Sequence, residues 1–184
     1  MSKAVQSRLS VEEFEHLYLG KRAELWRGEV REYMPAGPKH GKIAAALTVR
    51  LGARLLNTRE GVLFAAETGF VVPRGEEHDV LAPDVAFIRK ERLPEGEFPP
   101  GFCRVVPDLV VEVVSPNDPY TELRQKVADW LAGGVQLVWV VDPERRVIEV
   151  WRAEGLVQTL REGDVLTGDP VLPGFQVKVS ELFE

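Results

Sequence analysis

Apolar residues recur at every fourth position in one stretch of the chain, which is the period of a helix with one buried face. This stripe consists of Ile43, Leu47, Leu51 and Leu55. It predicts a helix from residue 39 to about residue 57. A second helix is predicted over residues 120–132, again from apolar side chains that share one face. A shorter helix over residues 10–19 begins with Ser10 and Glu13 in the spacing of a capping box.

The remaining apolar segments are rich in β-branched residues and predict strands. Residues 23–26 and 29–33 predict a hairpin. Longer runs predict further strands at residues 62–72, 80–88, 109–114, 135–141, 147–152 and 156–161. Two of these apolar strands are separated by the second long helix, and such a crossover requires at least one parallel pair. The order of elements therefore predicts a mixed α/β (α+β) fold, in one domain over residues 1–184, with a loop-rich tail.

The composition is that of an ordinary globular protein with an acidic balance. The 184 residues carry 23 Lys and Arg against 29 Asp and Glu, a net charge of −6. This balance argues against a generally basic nucleic-acid coat and leaves room for a local basic patch. One cysteine and three histidines exclude an internal disulfide framework and argue against a Cys/His zinc site. No stretch is apolar enough for a signal peptide or a membrane span, so a cytoplasmic location is expected.

Two acids stand in predicted strands, where a carboxylate is costly to bury. Glu112 lies in the middle of the run at residues 109–114, and Asp84 follows Pro83 near the start of another run. A lone buried carboxylate needs a cation, a hydrogen-bond donor or a raised pKa. If the two strands are neighbours, both acids converge at one end of the sheet, where a divalent cation relieves their repulsion. Mg²⁺ suits such a site because it takes one or two carboxylates plus water and phosphate oxygens.

Lys126 is a candidate amine for the same site. It lies four residues before Trp130, at the edge of the apolar face of the second long helix. From there its ammonium group would stretch toward a carboxylate or toward solvent. Beside Glu112 it would position an attacking water and stabilise a phosphoryl transition state. The alternatives are a Lys126–Glu122 pair within the helix, an arginine partner for Glu112, and a turn-capping role for Asp84.

Four further residues have two interpretations each. Glu67, in the predicted strand at residues 62–72, is either a direct or indirect metal ligand or an acid used in sheet pairing. His40, at the start of the first long helix, either assists at the site or has a structural role. Glu24 and Glu29 are interpreted as surface acids of the hairpin, with the alternative that they face the site.

Motifs along most of the chain resemble the prokaryotic Uma-two family, which is restriction-endonuclease-like and belongs to the PD-(D/E)XK nuclease superfamily. The motifs that carry the resemblance are Glu24-Leu25-x-x-Gly28-Glu29, Pro38-x-His40-Gly41, Glu67-Thr68-Gly69-Phe70, Ala82-Pro83-Asp84-Val85-Ala86-Phe87, the run from Pro107 to Pro116 that contains Glu112, Lys126, Gly134, and Val138-Trp139-Val140-Val141-Asp142-Pro143. The resemblance implies an αβββαβ core with a mixed sheet, extended by the N-terminal hairpin and the C-terminal strands.

The resemblance also implies a site built on Asp84 and Glu112, with Mg²⁺ and with the peptide carbonyl of Val113 in the metal shell. One position departs from the superfamily signature: the lysine expected two residues after the acid is Val114. Some superfamily members carry this lysine on the following helix, and Lys126 stands there.

These features favour a metal-dependent endonuclease that acts on DNA, with Asp84, Glu112 and Lys126 at its centre and Glu67 and His40 assisting. The first alternative is a non-catalytic nuclease fold that binds nucleic acid or assembles with other proteins. The second alternative is a two-carboxylate glycoside hydrolase. DNA binding by so acidic a chain needs its basic residues on one side, and a homo-oligomer is expected because one small chain offers little surface for a duplex. The basic residues in question are Lys39, Lys42, Arg50 and Arg54.

Overall fold

The fold is that of a computed structural model, which describes residues 8–116 and 119–184. The helices in this part of the chain are α1 (Val11–Tyr18), α2 (Pro38–Thr58), α3 (Tyr120–Ala132) and α4 (Ser180–Phe183), with a short 3₁₀ helix at Lys90–Arg92. The strands are β1 (Ala23–Trp26), β2 (Glu29–Glu32), β3 (Gly61–Ala65), β4 (Phe70–Arg74), β5 (Glu77–Leu81), β6 (Val85–Arg89), β7 (Leu109–Val113), β8 (Leu137–Asp142), β9 (Val147–Arg152), β10 (Gly155–Leu160), β11 (Val165–Thr167) and β12 (Gln176–Lys178).

The main sheet has six strands in the order β10-β9-β8-β7-β6-β3. Strands β7 and β8 are parallel and are connected along the chain by the crossover helix α3. The other neighbouring strands are antiparallel. In chain order the core elements are α2, β3, β6, β7, α3 and β8, which is the predicted αβββαβ arrangement. The mixed α/β fold class is therefore confirmed.

A second sheet comes from the N-terminal hairpin and an insertion in the core. Its strand order is β2-β1-β5-β4. The prediction of a single strand at residues 62–72 was wrong, because the chain turns between β3 and β4. Glu67 has a left-handed backbone (φ 73°), and a Cβ atom on Gly69 would lie 2.5 Å from the Phe102 ring. The strand predicted at residues 80–88 is likewise two strands, since Pro83 removes a ladder donor between β5 and β6.

The central strands β6, β7 and β8 are buried on both faces, and the alternation along β7 decides which residues meet which helix. Leu109, Val111 and Val113 belong to the core cluster that contains the apolar stripe of α2. Val110 belongs to the cluster that contains the apolar face of α3. Glu112 shares the face of Val110, so the strand directs its carboxylate toward α3.

The C-terminal tail was predicted to be rich in loops, but it contains a β-hairpin and a short helix. Its hairpin β11–β12 and helix α4 bury Leu172, Phe175, Val177 and Leu182 in the cluster that contains the α2 stripe. Over the two described ranges, no helix has both the length and the apolar character needed to cross a membrane.

Candidate active site

Lys126 and Trp130 hold the buried carboxylate of Glu112. The Lys126 Nζ atom lies 3.0 Å from Oε1 and 3.2 Å from Oε2 of Glu112. The indole Nε1 of Trp130 donates to Oε1 at 2.8 Å. Both donors reach one acid because residues four apart share a face of α3. Glu112 is 6% exposed and the Lys126 side chain 13% exposed, so this ion pair is largely removed from water.

The alternative partner of Lys126 was the glutamate one helical turn earlier. In the structure Glu122 instead forms an ion pair with Arg31 of the N-terminal hairpin, at 2.8 Å. Lys126 is thereby directed to the sheet rather than along its own helix.

Asp84 lies beside Glu112 at the end of the β6–β7 ladder. The pairing of Val85 with Val111, continued by one residue, places Asp84 opposite Glu112. The Asp84 Oδ2 atom accepts from the backbone N–H of Val113 at 2.7 Å, and the Asp84 N–H donates to the Val111 carbonyl at 3.1 Å. The carboxylate therefore caps two paired strands rather than a local turn.

His40 reaches Asp84 from the first turn of α2. Its Nε2 atom lies 3.2 Å from Oδ1 of Asp84. Because Oδ2 is already bonded to the β7 backbone, the imidazole and the strand together fix the orientation of the carboxylate. The structure thus brings Asp84, His40, Glu112 and Lys126 to one end of the β6–β7 pair.

A third carboxylate completes the cluster. Glu24, on β1, is 1% exposed, so its interpretation as a surface acid was wrong. Its Oε1 atom lies 2.9 Å from Lys126 Nζ and accepts from the Ala82 N–H at 2.7 Å. Its Oε2 atom accepts from the Tyr33 hydroxyl. The available signal was its place beside Leu25 and Trp26 in the first family motif; Glu29, by contrast, is exposed as expected.

The electrostatics follow from two carboxylates that share one ammonium and a third carboxylate, Asp84, that lies beside Glu112. Burial raises the pKa of Glu112 to about 7, with Lys126 opposing the shift and the charges of Asp84 and Glu24 adding to it. Burial alone would lower the pKa of Lys126, but Glu112 and Glu24 outweigh it and raise that pKa well above its usual value. Burial and the Glu24 carboxylate also raise the pKa of Tyr33. Lys126 is therefore charged at neutral pH, while Glu112 titrates near it.

Glu67 is not brought to these groups. It lies in the turn that follows β3, where its side chain is 53% exposed and forms an ion pair with Arg22. The strand that was expected to carry this acid ends at Ala65, and Glu67 follows in the turn with a left-handed backbone.

The basic residues predicted to touch phosphates are engaged by other parts of the chain. Lys39 pairs with Glu144 at 2.7 Å, and Arg50 pairs with Glu181 at 2.9 Å. The other two contact C-terminal carbonyls, Lys42 that of Glu184 and Arg54 that of Pro173. Lys42, Arg50 and Arg54 attach the C-terminal segment to α2 and Lys39 pairs with the turn between β8 and β9, so the four cations do not form a free basic patch.

The donor set suits a hard cation with few protein ligands. Among the residues described, no group of three or more His, Cys, Asp or Glu side chains is arranged to hold a metal ion. Asp84 and Glu112 are a carboxylate pair, and Mg²⁺ commonly takes one or two carboxylates and fills its shell with water and phosphate oxygens. The residues therefore fit Mg²⁺ better than zinc, which takes three or four nitrogen, sulfur or carboxylate ligands.

Comparisons with known proteins agree with this fold. No curated protein matches the sequence. The structure is similar to a crystal structure described as a putative nuclease belonging to DUF820 from Anabaena variabilis, with a TM-score of 0.79 and 21% identity over 95% of this chain and 97% of that one. Residues 11–180 match the sequence model of the Uma2 (Uma-two) family, described as "Putative restriction endonuclease". Because this match spans nearly the whole chain, the protein belongs to the Uma2 family.

Proposed function

We propose that this protein is a Mg²⁺-dependent endonuclease that hydrolyses phosphodiester bonds in DNA. The observation that carries the proposal is the ion pair between Glu112 on β7 and Lys126 on α3, at 3.0 Å. Strand β7 pairs with β6, and Asp84 directly precedes β6. An acid pair with an adjacent amine is the equipment that metal-assisted phosphodiester hydrolysis needs. Membership of a family described as "Putative restriction endonuclease" supports the same reaction class.

Asp84 and Glu112 would hold the metal ion, with the Val113 carbonyl as a further oxygen ligand. When bound, Mg²⁺ would lower the pKa of a water and neutralise charge on the phosphate. His40 would keep Asp84 oriented through its 3.2 Å contact with Oδ1. Glu67 has no part in this mechanism, because it pairs with Arg22 in an exposed turn.

Lys126 would supply the function of the lysine that Val114 replaces in the strand motif. Its ammonium lies against Glu112 and is kept charged by two carboxylates. A fixed positive charge at this place would orient the attacking water and stabilise the negative charge that develops on the phosphoryl oxygens. Because the group is already positioned, little reorganisation is needed when the reaction occurs.

The test is a plasmid-cleavage assay in Mg²⁺ or Mn²⁺ with purified protein. Asp84→Ala and Glu112→Ala are each expected to lower the rate by roughly 10²–10³-fold or more. Glu149→Gln is the matched control, since Glu149 is a buried acid of the same sheet that contacts Tyr120 and Trp151 instead. The proposal fails if the wild-type protein binds no divalent ion in calorimetry or if the two alanine variants cleave as well as the control.

A second candidate is a nuclease fold that binds nucleic acid or assembles without catalysis. The observation that favours it is that both oxygens of Glu112 already lie against Lys126, and Oε1 also accepts from Trp130. Such a protein would bind DNA or form oligomers equally well after Asp84→Ala and without divalent ions. In either case we expect subunits to pair, because a chain with a net charge of −6 has little surface for gripping a duplex.

A further inference from the structure

We infer that Glu24 is a positioning residue that holds Lys126 in place independently of Glu112, and so leaves Glu112 available to a metal ion. This inference rests on the proposed function. It assigns a role to the N-terminal hairpin, which lies outside the αβββαβ core, and makes the hairpin a part of the site.

The contacts place Lys126 between two acids on different sheets. Its Nζ atom lies 2.9 Å from Oε1 of Glu24 on β1 and 3.0 Å from Oε1 of Glu112 on β7. Glu24 belongs to the four-stranded sheet and Glu112 to the six-stranded sheet. The ammonium is therefore a bridge, and either carboxylate alone is close enough to retain it.

The second acid matters because Lys126 is buried. An ammonium left without a partner away from water is strongly unfavourable, since removing one member of a buried ion pair strands the other charge. If Glu112 were the only partner, its use by a metal ion would strand Lys126 or draw the lysine away from the site. With Glu24 on its other side, Lys126 keeps a counter-charge while Glu112 contacts a cation.

Glu24 itself is fixed by donors that leave it little freedom. Its two oxygens accept from the Ala82 N–H and the Tyr33 hydroxyl in addition to Lys126. Ala82 lies two residues before Asp84, so the same carboxylate also braces the segment that leads to the first metal-binding acid.

The hairpin is also attached to the helix that carries Lys126. Asp129, one turn after Lys126 on α3, accepts from Trp26 Nε1 at 2.6 Å. The Arg27 guanidinium binds the same carboxylate through two nitrogens, at 2.9 and 3.0 Å. These contacts fix β1 against α3, so the distance between Glu24 and Lys126 is set by the fold rather than by their own ion pair.

The experiment measures the order of the Lys126 ammonium group by ¹⁵N relaxation in metal-free protein. It compares the wild type with Glu112→Gln, Glu24→Gln, the double variant and the Glu149→Gln control. Glu112→Gln is expected to keep Lys126 as ordered as in the wild type, because Glu24 still holds it. The double variant is expected to release it, and the control to change nothing.

The inference is overturned if Glu112→Gln alone frees the ammonium, or if the double variant leaves it ordered. Where the double variant does not fold, Glu24→Asp in the Glu112→Gln background takes its place. That change keeps the charge but withdraws the carboxylate by one methylene, so it is expected to loosen Lys126.

A second measurement separates this inference from the proposed function. In the cleavage assay Glu24→Gln is expected to lower kcat by roughly 10–100-fold with little change in KM, because Glu24 does not touch the substrate. Glu24→Asp is expected to recover part of this loss. If the wild type cleaves no DNA, the proposed function fails, whereas the order of the Lys126 ammonium still decides the role of Glu24.

Discussion

A buried acid lies at each end of β7, and the charges that surround the two acids differ. Asp108, just before the strand, is fully buried and faces two guanidinium groups, those of Arg89 at 3.0 Å and Arg92 at 2.9 Å. Its Oδ2 atom also accepts from the Arg89 N–H at 2.9 Å. Glu112, near the other end, shares one ammonium with Glu24 and lies beside Asp84.

The difference separates an acid whose charge is met by nearby arginines from one that fits the proposed metal site. Asp108 faces two guanidinium groups, and the one on Arg89 also lies 3.8 Å from Glu91, as expected where ion pairs serve to join a loop to a strand. At the other end Glu112 and Glu24 share the Lys126 ammonium, and Asp84 adds a third carboxylate beside Glu112; like charges in a buried place oppose ionisation. An excess of negative charge costs stability in the metal-free protein and attracts a cation, so the end with Glu112 is the one suited to binding.

The largest expected effect is on stability at the structural end. Asp108→Ala removes the shared partner of Arg89 and Arg92 and is expected to lower the free energy of unfolding by about 3 kcal/mol. Glu112→Gln is expected to lower it far less or to raise it, since it removes one of several like charges and the amide oxygen still accepts from Trp130. Urea unfolding of both variants measures the contrast, and equal losses would contradict it.

The next effect is on the reaction and not on metal binding. Lys126→Met is expected to lower the cleavage rate by roughly 10²–10³-fold while leaving Mg²⁺ affinity unchanged or tighter, because a positive charge beside Asp84 and Glu112 has gone. The matched control is Lys39→Met, which removes an exposed ion pair with Glu144. Calorimetry and cleavage kinetics on both variants decide the matter; weaker Mg²⁺ binding by Lys126→Met would count against the assignment.

The third effect is a pH dependence of stability. The pKa of Glu112 is raised from 4.5 to about 7 by burial, so the folded state holds this proton more tightly than the unfolded state. Its contribution to stability is fully present below pH 4.5 and is lost as the pH rises through about 7. Urea unfolding of the metal-free protein between these values is expected to show this decline, and Glu112→Gln is expected to flatten it. An unchanged slope in the variant would be the contrary result.

The centre of the site was predictable because its signals are local. Glu112 is an acid inside an apolar strand run, and Lys126 lies four residues before Trp130 on the edge of an apolar helix face. Strand alternation and helix periodicity then direct both side chains to one place. The pairing of β6 with β7, which brings Asp84 there, follows from the αβββαβ order that the family motifs implied.

The rest depends on contacts that no local pattern specifies. Glu24 reaches the site because β1 pairs with β5 and Asp129 anchors the hairpin to α3, both across long stretches of chain. Glu67 lies away from these groups because β3 ends at Ala65 and the chain turns through the left-handed Glu67, which β-propensity does not reveal. Three basic residues of α2, Lys42, Arg50 and Arg54, contact a C-terminal segment whose position was not apparent from the sequence.

The central claim is that Asp84 and Glu112 bind one divalent ion while Lys126 stays beside them. A crystal of the wild-type protein soaked in Mn²⁺, with anomalous diffraction recorded at the manganese edge, tests it most directly. The account predicts one anomalous peak within coordination distance of both carboxylates, with the Lys126 ammonium still against Glu24. A peak at other residues, or none at these two acids under full soaking, would contradict it.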